Sequence, residues 1–133
     1  MTSKIVVKRL WMTVPRPGRP VRGSRTGRPI MALLDLLGRR WALRILWELR
    51  RGALGFAELQ DRCDGMSPSV LNQRLTELRE VGIIVLRRGS GYALTENGKT
   101  LCASLAPLSD WARRWAVRTA GETRVPERLR RAR

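Results

Sequence analysis

The residues that could do chemistry are few, and their types narrow that chemistry at once. The 133-residue chain has no histidine. That removes His-based triads, imidazole acid–base work and most catalytic zinc sites. Two cysteines, Cys63 and Cys102, make neither a disulfide framework nor a paired CxxC. The carboxylates Glu48, Glu58, Glu77 and Glu80 are spread over helix faces with arginines nearby, so no acid–base pair is evident. A glycine-rich phosphate loop is absent too. The sequence therefore does not read as an enzyme, and no metal and no cofactor are expected. A different set stands out: Ser69, Asn72, Gln73, Thr76 and Arg79. Their groups can hydrogen-bond base edges and phosphates. The competing reading is an ordinary amphipathic helix with a solvated face.

Charge points the same way. The chain has 27 Lys+Arg against 11 Asp+Glu, a formal net charge of +16. Residues 1–29 hold eight basic residues and no acid; residues 30–117 carry a net +4, and residues 118–133 another +4. An acidic substrate, an anionic membrane face or a nucleic acid remains as partner. No apolar run approaches the ~20 residues that span a bilayer. The first twenty residues mix charge and proline too early for a secretory leader. No membrane partner is expected, and the cytoplasm is the expected location. Apolar residues make up 43% of the chain, enough for one core.

Local patterning supplies the elements that must position these groups. Residues 1–29 form a basic arm punctuated by Pro15, Pro17, Pro20 and Pro29 and by Gly18, Gly23 and Gly27. Such punctuation opposes continuous structure, so 13–29 reads as extended or disordered, with a short strand or helical turn at 5–12. Residues 30–37 read as a short buried helix stopped by Gly38. A second helix follows over 41–51, with Trp41, Ile45 and Leu49 at a spacing of four. A short helix, AELQDRC, then meets a tight turn at Asp64-Gly65.

Ser67-Pro68 is the sharpest local signal. Serine can cap a helix start, and proline at the first position loses no hydrogen bond there. The helix runs to about 81, burying Leu71, Leu75 and Leu78, and stops at Gly82. Residues 83–87 and 92–94 read as a hairpin around Arg88-Gly89-Ser90-Gly91. Thr95 can cap a long helix over 96–117, kinked at Pro107. Along it Leu101, Leu105, Leu108, Ala112 and Trp115 make a seam for another helix. The predicted fold is mainly α with a small β-hairpin: a winged helix-turn-helix domain at 30–95, a long helix at 96–117 and a basic tail at 118–133. In such a unit the second helix enters the major groove of double-stranded DNA.

The chain closely resembles the HxlR-type winged helix-turn-helix regulators, relatives of the MarR group. The match spans roughly residues 27–117. It rests on LLGRRWALRIL at 36–46, Phe56-x-x-Leu59, MSPSVLNQRLTELREVGII at 66–84 and YALTENGKTL at 92–101. The resemblance implies a cytoplasmic, nucleoid-associated transcription factor that is usually a homodimer and more often a repressor. It places Ser67, Ser69, Asn72, Gln73 and Arg74 nearest the DNA and makes Arg87, Arg88 and Ser90 the wing. Arg74 lies beside the leucine stripe, so bracing a phosphate or pairing with Glu77 competes with base reading. Dimerisation through the terminal helices falls to Leu101, Leu105, Leu108, Trp111 and Trp115. Two-fold symmetry then calls for a palindromic operator with half-sites about 34–36 Å apart.

Three departures qualify the likeness. Arg28-Pro29 stands where members often carry Cys-Pro, whose cysteine in some senses oxidants or electrophiles, so that mechanism does not carry over. Cys63 falls at an apolar packing position, and Cys102 reads as packing or a second-choice redox handle. The wing is short, and the basic arm could supply the missing phosphate contacts. Five tryptophans in so small a chain read as core and interface anchors, or as an aromatic pocket at Trp41, Trp47 and Trp111 for a planar apolar effector. The alternative readings of the whole are an architectural DNA binder of weak specificity, an RNA-binding winged helix and a protein-interaction module.

Overall fold

The computed structural model describes residues 13–122. The short element expected at 5–12 and the end of the tail, from 123 onward, lie outside them. The order is α1 (Pro29–Leu37), α2 (Ala42–Leu49), α3 (Phe56–Arg62), α4 (Pro68–Glu80), β1 (Ile84–Arg87), β2 (Gly91–Leu94) and α5 (Glu96–Glu122). This is the expected mainly-α architecture with one hairpin. The chain forms two compact units, one up to Thr100 and one from Leu101 onward.

In the first unit, helix stripes and strand faces meet in one core. Leu36 and Leu37 of α1, Ile45, Leu46 and Leu49 of α2, and Leu59 of α3 are buried, as are Leu71, Leu75 and Leu78 of α4. Ile84, Ala93 and Leu94 of the hairpin join them. Each fully buried leucine contributes about 1.5–3 kcal/mol of transfer free energy. Pro29 opens α1, and Gly38 closes it by donating its N–H to Leu34 O. Trp41 differs from expectation. It stands outside α2 as its N-cap with φ 75°, because the chain reverses within the four residues after Leu37. The stripe of α2 therefore begins at Ala42.

The turn between α3 and α4 uses two left-handed residues, Asp64 (φ 57°) and Gly65 (φ 66°). Gln60 Nε2 donates to Met66 O at 2.8 Å and pins it. Pro68 is the first residue of α4 as expected, but Ser67 makes no side-chain cap to the helix. Its Oγ instead lies 3.4 Å from Ser69 Oγ. At the far end Ile83 N donates to Leu78 O and Gly82 N to Arg79 O, with Gly82 at φ 75°. This paired pattern is a Schellman stop, and only a residue without a Cβ takes that φ readily.

The hairpin pairs Ile84 with Leu94 and Arg87 with Gly91. The outer edge of β2 is anchored near the turn, where Leu54 and Tyr92 exchange backbone hydrogen bonds of 2.8 and 2.9 Å. Thr95 then starts α5. Its Oγ1 accepts from Gly98 N at 3.1 Å and donates to Gly82 O at 2.6 Å, so one hydroxyl caps the helix and ties it to the stop of α4. In the second unit α5 continues through Pro107 to Glu122. Residues 118–122 thus belong to the helix, not to the tail.

Residues 13–28 are the main correction. They form a folded loop and not an extended arm. Val21 and Ser24 pair through backbone hydrogen bonds, Gly18 N donates to Gly27 O at 2.9 Å, and Arg28 N donates to Ser24 Oγ at 3.0 Å. Gly27 sits at φ 69°, and a Cβ there would collide with the backbone of Arg19. The loop is tied outward as well. Arg22 holds Asp35 of α1, through its backbone N–H at 3.3 Å and Nε at 3.8 Å.

A second tie runs through a buried carboxylate. Glu77 of α4 has a side chain only 7% exposed and takes Arg39 Nη1 at 3.1 Å and Arg74 Nη1 at 2.9 Å on Oε1. Arg39 Nη2 also donates to Thr13 O at 2.7 Å, and Arg74 Nε to Arg40 O at 2.8 Å. The group joins α4, the turn after α1 and the N-terminal loop. Removing one partner of such a set strands the others without a counterion. Glu77→Gln is expected to lower unfolding stability in urea by about 3 kcal/mol. Glu80→Gln, at the exposed Arg16 pair, should change it by no more than about 0.5 kcal/mol. Equal effects of the two would show that the buried group does not anchor the fold.

Candidate nucleic-acid interface

The face of α4 opposite its leucines carries Ser69, Asn72, Thr76 and Arg79, at spacings of three, four and three. That repeat keeps all four on one side of a helix. All are exposed, as are Ser67 and Gln73 beside them. Thr76 Oγ1 donates to Asn72 O at 2.8 Å, which fixes the hydroxyl and leaves its oxygen able to accept. The side chains of Asn72, Gln73 and Arg79 have no hydrogen-bond or ion-pair partner among the described residues. Both amides can therefore offer a donor and an acceptor together, the combination that pairs bidentately with adenine in the major groove.

Arg74 is placed elsewhere. Its guanidinium is half-buried against Glu77 and the Arg40 carbonyl, the pairing that competes with base reading. The structure uses it to brace α4 and does not put it on the outer face with Asn72. The wing arginines differ. Arg87 ends β1, and Arg88 and Ser90 lie in the turn; all three are exposed, and neither arginine has an ion-pair partner among the described residues. Arg79, Arg87 and Arg88 thus present uncompensated positive charge around the reading face.

The N-terminal loop adds residues that local sequence patterns did not place at this site. A cavity of 660 Å³ beside α4 is lined by Arg16 and Arg19 of the loop and by Gln73 and Thr76 of the helix. Arg16 Nη2 reaches Glu80 Oε2 at 4.0 Å, an exposed pair of little energetic weight. The spaced arginines of the arm were legible in the sequence. Their position beside α4 was not, because it depends on the long-range ties of Arg39 and Arg22.

The thiols and indoles also have definite places. Cys63 is fully buried behind the α3–α4 turn. Burial pushes its thiol pKa up; Glu48 and Asp64 add to the rise, and Arg44 opposes it. Cys102 is half-buried on α5. Trp47 is exposed on α2, with the Arg50 guanidinium 3.8 Å from its ring centroid. Trp41 is half-buried and lies 5.9 Å from the Arg40 guanidinium. In the second unit Trp111 stacks on Trp115 at 5.8 Å, and both are more than half exposed, with Leu108 and Val117. Leu101 and Leu105 are half-buried.

A helix-turn-helix whose second helix shows an uncommitted polar face, followed by a basic two-stranded wing, defines a winged-helix DNA-binding protein. The HxlR-like helix-turn-helix family profile matches residues 36–120, and the chain belongs to that family of DNA-binding transcriptional regulators. It is 33% identical over 88 residues to YvaP of Bacillus subtilis, an uncharacterized HTH-type transcriptional regulator, covering 62% of this chain and 82% of that one. It is 34% identical over 101 residues to Rv3095 of Mycobacterium tuberculosis, described in the same words, covering 71% and 63%. Among solved structures, quinone-bound YodB from B. subtilis superposes with a TM-score of 0.60 at 30% identity, over 65% of this chain and 96% of YodB. A possible HxlR family transcriptional factor from Thermoplasma volcanium gives 0.59 at 29% identity, over 66% and 84%. The family is one of regulators and not of enzymes. Among the described residues, no helix is long and apolar enough to cross a membrane.

The raised pKa of Cys63 has a direct consequence. A thiol held above its usual range stays protonated near neutrality, and the thiol is the unreactive form. Iodoacetamide treatment at pH 7.5 with mapping by mass spectrometry is expected to leave Cys63 unmodified in the folded chain and to modify it in urea. Rapid labelling of Cys63 in the folded protein would contradict the burial described.

Proposed function

We propose that the chain is a site-specific, operator-binding regulator that works in the cytoplasm, on the nucleoid, as a homodimer and chiefly as a repressor. The observation that carries this reading is the outer face of α4. Asn72 and Gln73 read bases, Ser67, Ser69, Thr76 and Arg79 set the register on the backbone, and Arg87, Arg88 and Ser90 of the wing grip the flanking groove. Arg16 and Arg19 of the folded N-terminal loop add phosphate contacts beside the helix and offset the short wing. Bound across a promoter, such a dimer excludes polymerase.

Self-association is supported by the apolar residues left exposed on one side of α5: Leu108, Trp111 and Trp115. Large exposed apolar groups in a row mark interaction surfaces. With Leu101 and Leu105 they form the seam for a second copy, which gives a two-fold complex and a palindromic operator. Effector control is part of the same proposal. YodB was solved with a quinone bound. A planar apolar ligand could favour one spacing of the two reading helices over another.

The test is retention of sheared genomic DNA by the purified protein, followed by sequencing. Sharp peaks sharing a two-fold motif are expected; broad retention without a motif would instead mark an architectural binder. On the recovered operator, Asn72→Ala should cost about 1–3 kcal/mol and relax preference at one position per half-site. Arg88→Ala and Arg19→Ala should weaken all sequences alike and lower the salt slope by about 0.9 per lost phosphate contact. An unchanged slope for Arg19→Ala would remove the loop from the interface. Independently, Trp115→Glu is expected to convert the dimer to a monomer in sedimentation velocity; a dimer that persists would place the interface elsewhere.

A further inference from the structure

A second cavity, of 630 Å³, opens on the other side of Gln73, and three segments of the first unit build its walls. Arg22 comes from the N-terminal loop, Arg39 and Arg40 from the turn after α1, and Arg74 from α4. The carboxylates nearby do not match four guanidiniums. Asp35, the one acid in the lining, is held by Arg22 at 3.8 Å. Glu77, behind the wall, is shared by Arg39 and Arg74. Arg40 has no carboxylate partner among the described residues.

Arg39 and Arg74 are held in place before anything binds, while Arg40 is exposed, its guanidinium 5.9 Å from the Trp41 ring. Arg39 is fixed by Glu77 and the Thr13 carbonyl, and Arg74 by Glu77 and the Arg40 carbonyl. Arg74 Nη2 makes no hydrogen bond among the described residues. Fixed guanidiniums lose less freedom on binding than mobile ones, and their planar forks match a carboxylate. Size argues against a bare inorganic anion, because the volume falls within the about 300–1,000 Å³ of small-molecule sites. Pro20 and Val21 supply apolar wall, and a guanidinium plane also stacks on flat rings.

We propose that this cavity binds a small organic anion: a carboxylate carried on a flat apolar body. The carboxylate meets Arg40 and Arg74, and the body lies against Pro20 and Val21. The occupant then bridges the N-terminal loop and the reading helix at Gln73. No tryptophan lines this site, and its test contains no DNA, so it stands or falls apart from the operator reading.

The experiment is calorimetric titration of the full chain with 1-naphthoate, with the uncharged 1-naphthalenemethanol and with inorganic phosphate. Saturable binding of one naphthoate per chain is expected, about tenfold or more tighter than either comparison compound. Arg40→Ala should weaken naphthoate about tenfold by removing a donor, and Val21→Phe should weaken it by filling space without changing charge. Arg51→Ala, outside the cavity, should leave it unchanged. The proposal is overturned if naphthoate fails to saturate, or if Arg40→Ala and Val21→Phe both bind it as the parent does. It is equally overturned if the uncharged analogue or phosphate binds as tightly; equal phosphate binding would mark a plain phosphate contact.

Discussion

Glu77 puts a carboxylate below the surface of the reading helix, and two guanidiniums from different segments close on one of its oxygens. An unpaired charge at that depth would be too costly to keep. Arg39 must therefore arrive from the turn after α1, and Arg74 from one turn earlier in α4. Each arginine also takes a backbone carbonyl, Thr13 for Arg39 and Arg40 for Arg74. Through these four contacts a single carboxylate orients α4 against α1 and holds the start of the described chain against both. The second carboxylate oxygen, Oε2, has no partner among the described residues, so this group is specific in geometry without being fully satisfied.

That constraint divides α4 into three strips with different duties. Leu71, Leu75 and Leu78 fill the core. Arg74 and Glu77 form a lateral ionic strip that keeps the helix from rotating. The remaining strip, from Ser69 through Asn72 and Thr76 to Arg79, is left to solvent and to any partner. A helix held by leucines alone could roll by some degrees with little penalty, since apolar contacts have no direction. A guanidinium pair does not allow this, because its hydrogen bonds weaken steeply off-axis. Base reading needs that fixed orientation, and the anchored wing needs it too, since Gly82 and Thr95 tie the hairpin to the end of α4.

Much of the architecture was legible in the sequence because its causes are local. The leucine spacing, Pro68 at the start of α4, the Gly82 stop, the β-branched run before Arg88 and the Thr95 cap each act within a few residues. The outer face of α4 followed from the same spacing. What was not legible came from distant contacts. Residues 13–28 carry every local sign of irregular chain, yet Asp35 and Arg39 fold them onto the domain. Trp41 fits a helical stripe by spacing, yet the reversal after α1 turns its backbone left-handed. Arg74 could be read either as a DNA contact or as the partner of Glu77, and burial decided between them.

The sequence by itself determined the elements and the sign and size of the charge, because periodicity, capping and composition need no tertiary partner. Only the tertiary structure decided which arginines have a carboxylate partner. Arg39 and Arg74 are drawn inward by a buried carboxylate, and Arg22 by Asp35, while Arg40, Arg79, Arg87 and Arg88 have no such partner among the described residues. All are the same residue type in a strongly basic chain. Their roles differ because a counterion some forty residues away in sequence is beside Arg39 in space, and sequence spacing does not carry that distance.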